Sequence, residues 1–191
     1  MRITENGIEL DRELSDLDKF AIGFSKVIEK HTRYVIVSGY VSILLGRARV
    51  SEDIDMLIPV LDENKWNIIY NELVKEGYYC LNAQNAHDSY SYLKDDIAVR
   101  FAPKGIVIPN MEILFASEKI QKIALDTNIT VAIGKNKFII SNLELQIAYK
   151  EKILKSPKDM EDARHIRLVF KDHIMTQKLK EYERIINEQQ K

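Results

Sequence analysis

"YVIVSGYVSILLGRARVSEDIDMLI", residues 34–58, decides how this chain is read. "YVIVS" is short and β-branched, as buried strands are. Ser38-Gly39 closes it, and a brief helix is predicted from about Tyr40 to Leu45. "DIDMLIP" then reads as a second strand, stopped by Pro59. Alternate residues of a strand share a face, so Asp53 and Asp55 project side by side while Ile54 and Met56 face the core. Two carboxylates so placed repel, and burial raises the cost. A shared proton or a divalent cation relieves it. Mg²⁺ takes one or two carboxylates together with phosphate oxygens, which makes the pair a candidate metal site for phosphoryl chemistry. The plainer alternative is a strand start with solvated acids at its edge. Gly39 also has two readings: a turn residue only, or one that lets a phosphate approach the backbone where a helix N-terminus offers free N–H groups.

On the amino-terminal side, Leu14, Leu17, Phe20, Ala21, Phe24, Val27 and Ile28 recur at helical spacing and predict a helix over about residues 10–30. On the other side, Asp62 reads as an N-cap and Gly77 as the stop of a helix with Trp66, Ile69, Tyr70, Leu73 and Val74 on one stripe. The middle reads as β-rich, in "YYCL", "DIAVRFAP", "IVIPNMEILFA", "ITVAI" and "KFIIS", with "PKG" at 103–105 as a hairpin turn and "NAHDSYSY" as a polar loop. Ser141 and Glu144 form a capping box in "SNLE", Ser156-Pro157 starts another helix, and a last helix is predicted over about Asp172–Gln189. This order predicts an α+β fold: a mixed β-sheet flanked by helices over residues 1–140, and a helical C-terminal part over 141–191 packed on it.

The 191 residues are 46% hydrophobic and 30% charged with a net charge of −1, enough for a real core and without an overall basic coat for nucleic acid. Residues 149–191 carry only a slight basic excess. One cysteine, Cys80, excludes an internal disulfide and a cysteine-based zinc site, and it reads as a core residue. Apolar runs fall short of the ~20 residues of a membrane span, so a cytoplasmic protein without membrane contact is expected.

"SGYVSILLGRARVSEDIDMLI" resembles the signature of the nucleotidyltransferase superfamily that includes DNA polymerase beta: a glycine loop opening a helix, then Asp-x-Asp on the next strand. More narrowly, "RVSEDID", with Arg49, Ser51, Asp53 and Asp55, is similar to the abortive-infection-type nucleotidyltransferases of prokaryotic toxin–antitoxin systems. Ser38 stands where the first glycine is usual, and Tyr40 where a small residue is usual, which would set Tyr40 against the phosphates.

The resemblance implies Mg²⁺ (or Mn²⁺) on Asp53 and Asp55, a nucleoside triphosphate as substrate, and a third carboxylate from a later strand. Glu112 in "NMEILFA" is the candidate, with Asp96 as competitor. It also implies a lysine-bearing helix followed by Lys-Asp-x-x-Asp: Lys150 or Lys152, then Lys158, Asp159 and Asp162, where Lys158 and Asp162 read equally as an ordinary surface pair. The nucleotide would then meet Ser38, Gly39, Arg49, Ser51, Lys150, Lys158 and Asp159, with Arg47 nearby. A tRNA or a partner protein would be the acceptor of the nucleotide. The alternative is a nucleotide-binding or antitoxin-like partner module without catalysis. His165 and His173 read as packing or surface residues.

Overall fold

The computed structural model describes residues 1–4 and 7–189. In chain order its elements are β1 (Arg2–Thr4), β2 (Gly7–Leu10), α1 (Asp16–Glu29), β3 (Val35–Val37), α2 (Ser38–Leu44), β4 (Asp53–Ile58), α3 (Glu63–Lys75), β5 (Tyr78–Cys80), α4 (Ala86–Lys94), β6 (Val99–Pro103), β7 (Asn110–Phe115), α5 (Lys119–Asp126), β8 (Ile129–Ile133), β9 (Asn136–Ile140), α6 (Leu143–Tyr149), a π-helical turn (Lys150–Leu154), α7 (Pro157–Val169) and α8 (Thr176–Gln189). Among the described residues, nine strands form one mixed sheet in the order β1-β2-β8-β9-β3-β4-β7-β6-β5.

At the centre, β4 runs antiparallel to β3 and parallel to β7. Ile54, Met56 and Ile58 lie beside Met111, Ile113 and Phe115 on one face, all buried. Aromatic rings seal that face: Phe24 of α1, with Trp66 and Tyr70 of α3, meets Phe101, and Tyr90 of α4 meets Phe115. The opposite face carries Asp53, Asp55 and Leu57 beside Asn110, Glu112 and Leu114. A one-residue slip would exchange the two sets, so the buried aromatics fix the register that brings the acids together.

Several elements depart from the sequence reading. Helix α1 starts at Asp16 because Ser15 and Asp18 form a reciprocal capping box, and residues 7–10 pair as a strand instead. Helices α4 and α5 fall in stretches read as loop or β-rich; their polar faces hide short apolar stripes, and Asn85 and Glu118 cap them. The cap of α6 is Asn142, whose side chain accepts from Leu145 N, rather than Ser141. Glu144 accepts from Met175 N instead of closing a capping box. Helix α8 begins at Thr176, four residues later than expected. Cys80 is half-buried rather than a full core residue.

Tyr40 does not face the space beside the Ser38-Gly39 turn. Its hydroxyl donates to Asp18 Oδ1 at 2.6 Å, and its ring packs against Phe138. Arg12 donates to both oxygens of Asp18 at 2.5 and 3.1 Å. Burial pushes Asp18 up, but Arg12, Tyr40 and Ser15 overcome it and hold the carboxyl below the usual range. Tyr40→Phe removes one partner of a buried carboxylate and should cost about 1–3 kcal/mol in urea unfolding. It should leave nucleotide affinity unchanged; a selective loss of affinity would return Tyr40 to the site.

Candidate functional site

Pairing of Asp55 with Glu112 across β4 and β7, and of Asp53 with Asn110, brings the acids to one patch. Burial pushes the Asp55 carboxyl up to about 6, helped by the charges of Glu112 and Asp53, while the Ser38 hydroxyl and Lys150 oppose the rise. Ser51 donates to Asp53 Oδ1 at 3.1 Å, so its hydroxyl is spent on orienting that acid. Glu112 accepts from Arg100 Nε at 2.6 Å and is largely covered. Asp96 lies elsewhere: it accepts from Ser117, beyond the far end of β7.

Facing the acids is a cluster of cations that the sequence reading left scattered. Asp162 of α7 is fully buried and accepts from Arg47 Nε at 2.7 Å, Arg49 Nη1 at 2.5 Å and Lys150 Nζ at 3.0 Å. Burial pushes its carboxyl up, but Lys150, Arg47 and Arg49 outweigh that and hold it below the usual range. Lys150 is itself buried and lies 3.5 Å from Asp159 Oδ1. Asp159 also takes the hydroxyl of Ser156, the cap of α7. Three cations against two carboxylates leave the cluster electropositive. Arg49 Nε is buried without a hydrogen-bond partner, an unused donor in the cluster.

The lysine here is Lys150, not Lys152, which pairs with Glu183. The π-helical turn carries it, and such turns recur at functional sites. Lys158 is exposed on α7 and makes no pair with Asp162, whose oxygens the other three cations occupy. His165 packs, with Nε2 3.1 Å from Leu45 O; His173 is exposed; His87 sits 2.6 Å from Glu63 at the start of α4.

Gly39 has a reason for lacking a side chain, and it is not backbone access alone. A Cβ there would lie 3.0–3.2 Å from the Arg49 guanidinium, which Asp162 holds in place. Ser38, just before it, has φ 63° in the left-handed region. Gly39→Ala should therefore displace Arg49. The helix gains about 1 kcal/mol from alanine and loses a similar amount to crowding. Stability should stay near wild type while triphosphate affinity drops about tenfold or more. Unchanged affinity, read by calorimetry, would count against a role for Arg49 in the site.

Do these residues suit a metal ion? Among the described residues, no three His, Cys, Asp or Glu side chains already form a cage. Mg²⁺ needs no such cage, because it keeps waters and takes one or two carboxylates plus phosphate oxygens. Adjacent Asp53 and Asp55, with Asp55 holding its proton unusually late, fit that partial donor set. The cation cluster beside them fits the phosphates.

No protein-family model matches the chain, and no curated protein does. Solved structures do. An antigenic nucleotidyltransferase-like protein from Paracoccidioides brasiliensis superposes with a TM-score of 0.53 at 19% identity, over 82% of this chain and 75% of that one. The solution structure of the antibiotic-resistance factor ANT(2'')-Ia gives 0.55 at 13% identity, over 92% and 94%. The crystal structure of ANT(2'')-Ia in complex with adenylyl-2''-tobramycin gives 0.53 at 13%, over 89% and 95%. At these identities the likeness is one of fold.

Proposed function

We propose that this chain, which has the nucleotidyltransferase fold, transfers a nucleoside monophosphate from a nucleoside triphosphate to a hydroxyl of an RNA or a protein. The observation that carries the reading is the grouping of Asp53, Asp55 and Glu112 on one sheet face, with the half-buried Arg49 and the buried Lys150 held nearby by Asp162. Asp53 and Asp55 would hold Mg²⁺ (or Mn²⁺), with Glu112 beside them. Bound there, the ion supplies charge neutralisation at the reacting phosphate.

The chain's own residues do the rest. Arg49 and Lys150 supply the positive charge that neutralises the β- and γ-phosphates. Ser38 and Gly39 form the turn on which the phosphates lie. The acceptor hydroxyl attacks the α-phosphorus, an O–P bond forms, the bond to the bridging oxygen breaks and pyrophosphate leaves. The acceptor's proton passes to a Glu112 carboxylate oxygen. Positioning and charge, rather than a covalent intermediate, carry this chemistry. The similarity of "RVSEDID" favours a tRNA or a partner toxin protein as acceptor, in a toxin–antitoxin setting.

A second reading has one observation in its favour. Glu112, the acid that would take the proton, is already paired with Arg100 at 2.6 Å. A chain so arranged could bind nucleotide as a partner module without transferring it. Incubation with each labelled triphosphate, Mg²⁺ and total RNA or cell extract separates the two. The first reading expects a labelled RNA or protein. Nucleotide binding with no labelled product in any mixture supports the second.

A further inference from the structure

Three residues lie in a row across neighbouring strands: Asp55 on β4, Glu112 on β7 and Arg100 on β6. Glu112 stands in the middle, and its carboxylate can serve either side. On one side it completes a patch of three acids with Asp53 and Asp55. On the other it accepts from Arg100 Nε at 2.6 Å. Acids one strand spacing apart, about 4.8 Å, repel, so Arg100 offsets part of the patch's charge.

Arg100 differs from the other cations near the patch. Lys150 is buried and Arg49 half-buried, and Asp162 holds both. The Arg100 side chain is 52% exposed, although Glu112 is only 15% exposed. Its backbone, by contrast, is anchored: the N–H donates to Asn82 Oδ1 at 2.9 Å, and the C=O accepts from Leu81 N at 2.8 Å. The strand therefore stays in place when the guanidinium turns out into water. An ion pair with an exposed partner contributes little and breaks readily. A divalent cation in the patch carries twice the charge of a guanidinium and faces three acids rather than one.

We propose that Arg100 is an exchangeable counter-ion, which holds Glu112 while the patch is without metal and gives it up when a divalent cation enters. Its charge sets the metal concentration at which the patch fills. Its departure frees the Glu112 oxygen that takes the acceptor's proton. The proposal rests on the nucleotidyltransferase reading for the metal, and the experiment keeps the two apart. Mn²⁺ is titrated at low salt into wild type, Arg100→Gln, Arg100→Lys and Asp55→Asn, with free Mn²⁺ read by electron paramagnetic resonance. Thermal melting with EDTA and with Mn²⁺ is followed in parallel. Arg100→Gln should bind Mn²⁺ about threefold tighter or more, because a positive charge within roughly 10 Å of the ion is gone. Added salt should narrow that gap. Arg100→Lys, which keeps the charge, should stay within about twofold of wild type, and Asp55→Asn should bind about tenfold weaker or more. In EDTA, Arg100→Gln should melt below wild type, and Mn²⁺ should raise its Tm by more than it raises that of wild type. An Arg100 that only braces Glu112 gives the opposite sign, with Arg100→Gln binding Mn²⁺ more weakly. That result, or equal affinity, overturns the exchange and leaves the metal site standing. Absence of Mn²⁺ binding by all four proteins, or binding that Asp55→Asn leaves unchanged, overturns both.

Discussion

Asp55→Asn is expected to end nucleotidyl transfer, by about 10³-fold or more, while making the metal-free protein more stable. The first effect follows from losing one of the two carboxylates proposed to hold the ion, a contribution of several kcal/mol to the transition state. The second follows from the environment of Asp55, where burial and the charges of Glu112 and Asp53 raise its carboxyl to about 6. Below about pH 3 the carboxyl is largely neutral in both the folded and the unfolded chain. As pH rises toward 6 the unfolded chain ionises first and the native state pays a growing penalty. Above about pH 7 the penalty is complete, on the order of 2–3 kcal/mol at 1.36 kcal/mol per pKa unit. In EDTA, then, wild type should lose stability between pH 4 and 7 relative to Asp55→Asn, and the variant should be the more stable at pH 8. Adding Mg²⁺ at pH 8 should stabilise wild type and not the variant. A variant less stable than wild type at pH 8 would mean that Asp55 is held by interactions other than those described. Asp53→Asn should also abolish transfer, with a smaller gain in stability.

The second large effect has the opposite sign. Asp162→Ala leaves Arg47, Arg49 and Lys150 without their shared buried counter-ion. Removing one partner of a buried ionic cluster costs about 3–5 kcal/mol, a large share of the ~5–15 kcal/mol that holds a domain together. For a chain of this length that is a fall in Tm of about 10 °C or more. Lys150→Met should cost less, since two arginines still neutralise Asp162, yet it should weaken triphosphate binding. Acid brings out the same cluster. The Asp162 carboxyl lies below its usual range, so its contribution is present above about pH 4 and is lost as pH falls through the lowered value. An Asp162→Ala variant within about 1 kcal/mol of wild type would show that the cluster is decoration.

How much of this could be read beforehand depends on how local each signal is. Asp53 and Asp55 were legible because a two-residue strand repeat fixes their common face within six residues. Glu112 was legible as a strand residue facing away from Met111 and Ile113, but its partner Arg100 was not, since that depends on which strand lies alongside. Asp162 sits 113 residues from Arg49 and had two readings, the last acid of a Lys-Asp-x-x-Asp motif or a surface partner of Lys158; which cations it meets was not legible, and burial gave it three others. Its signal in the sequence was weak: an acid on a helix that also bears the small residue Ala163, which is buried beside it. Tyr40 was misplaced because its position next to a glycine turn reads as part of the turn. Seven residues of helix rotate it into the core, onto Asp18. Helices α4 and α5 escaped notice because nine and eight residues give a period too few repeats against a polar background.

The account rests on two neighbouring acids and a cation cluster acting together on a metal-bound triphosphate. Its most direct test is calorimetric titration of a non-hydrolysable triphosphate into wild type and Asp55→Asn, each with Mg²⁺ and with EDTA. Wild type should bind at least tenfold more tightly with Mg²⁺ than with EDTA, and the variant should show no such difference. Equal affinity in all four titrations would contradict the account.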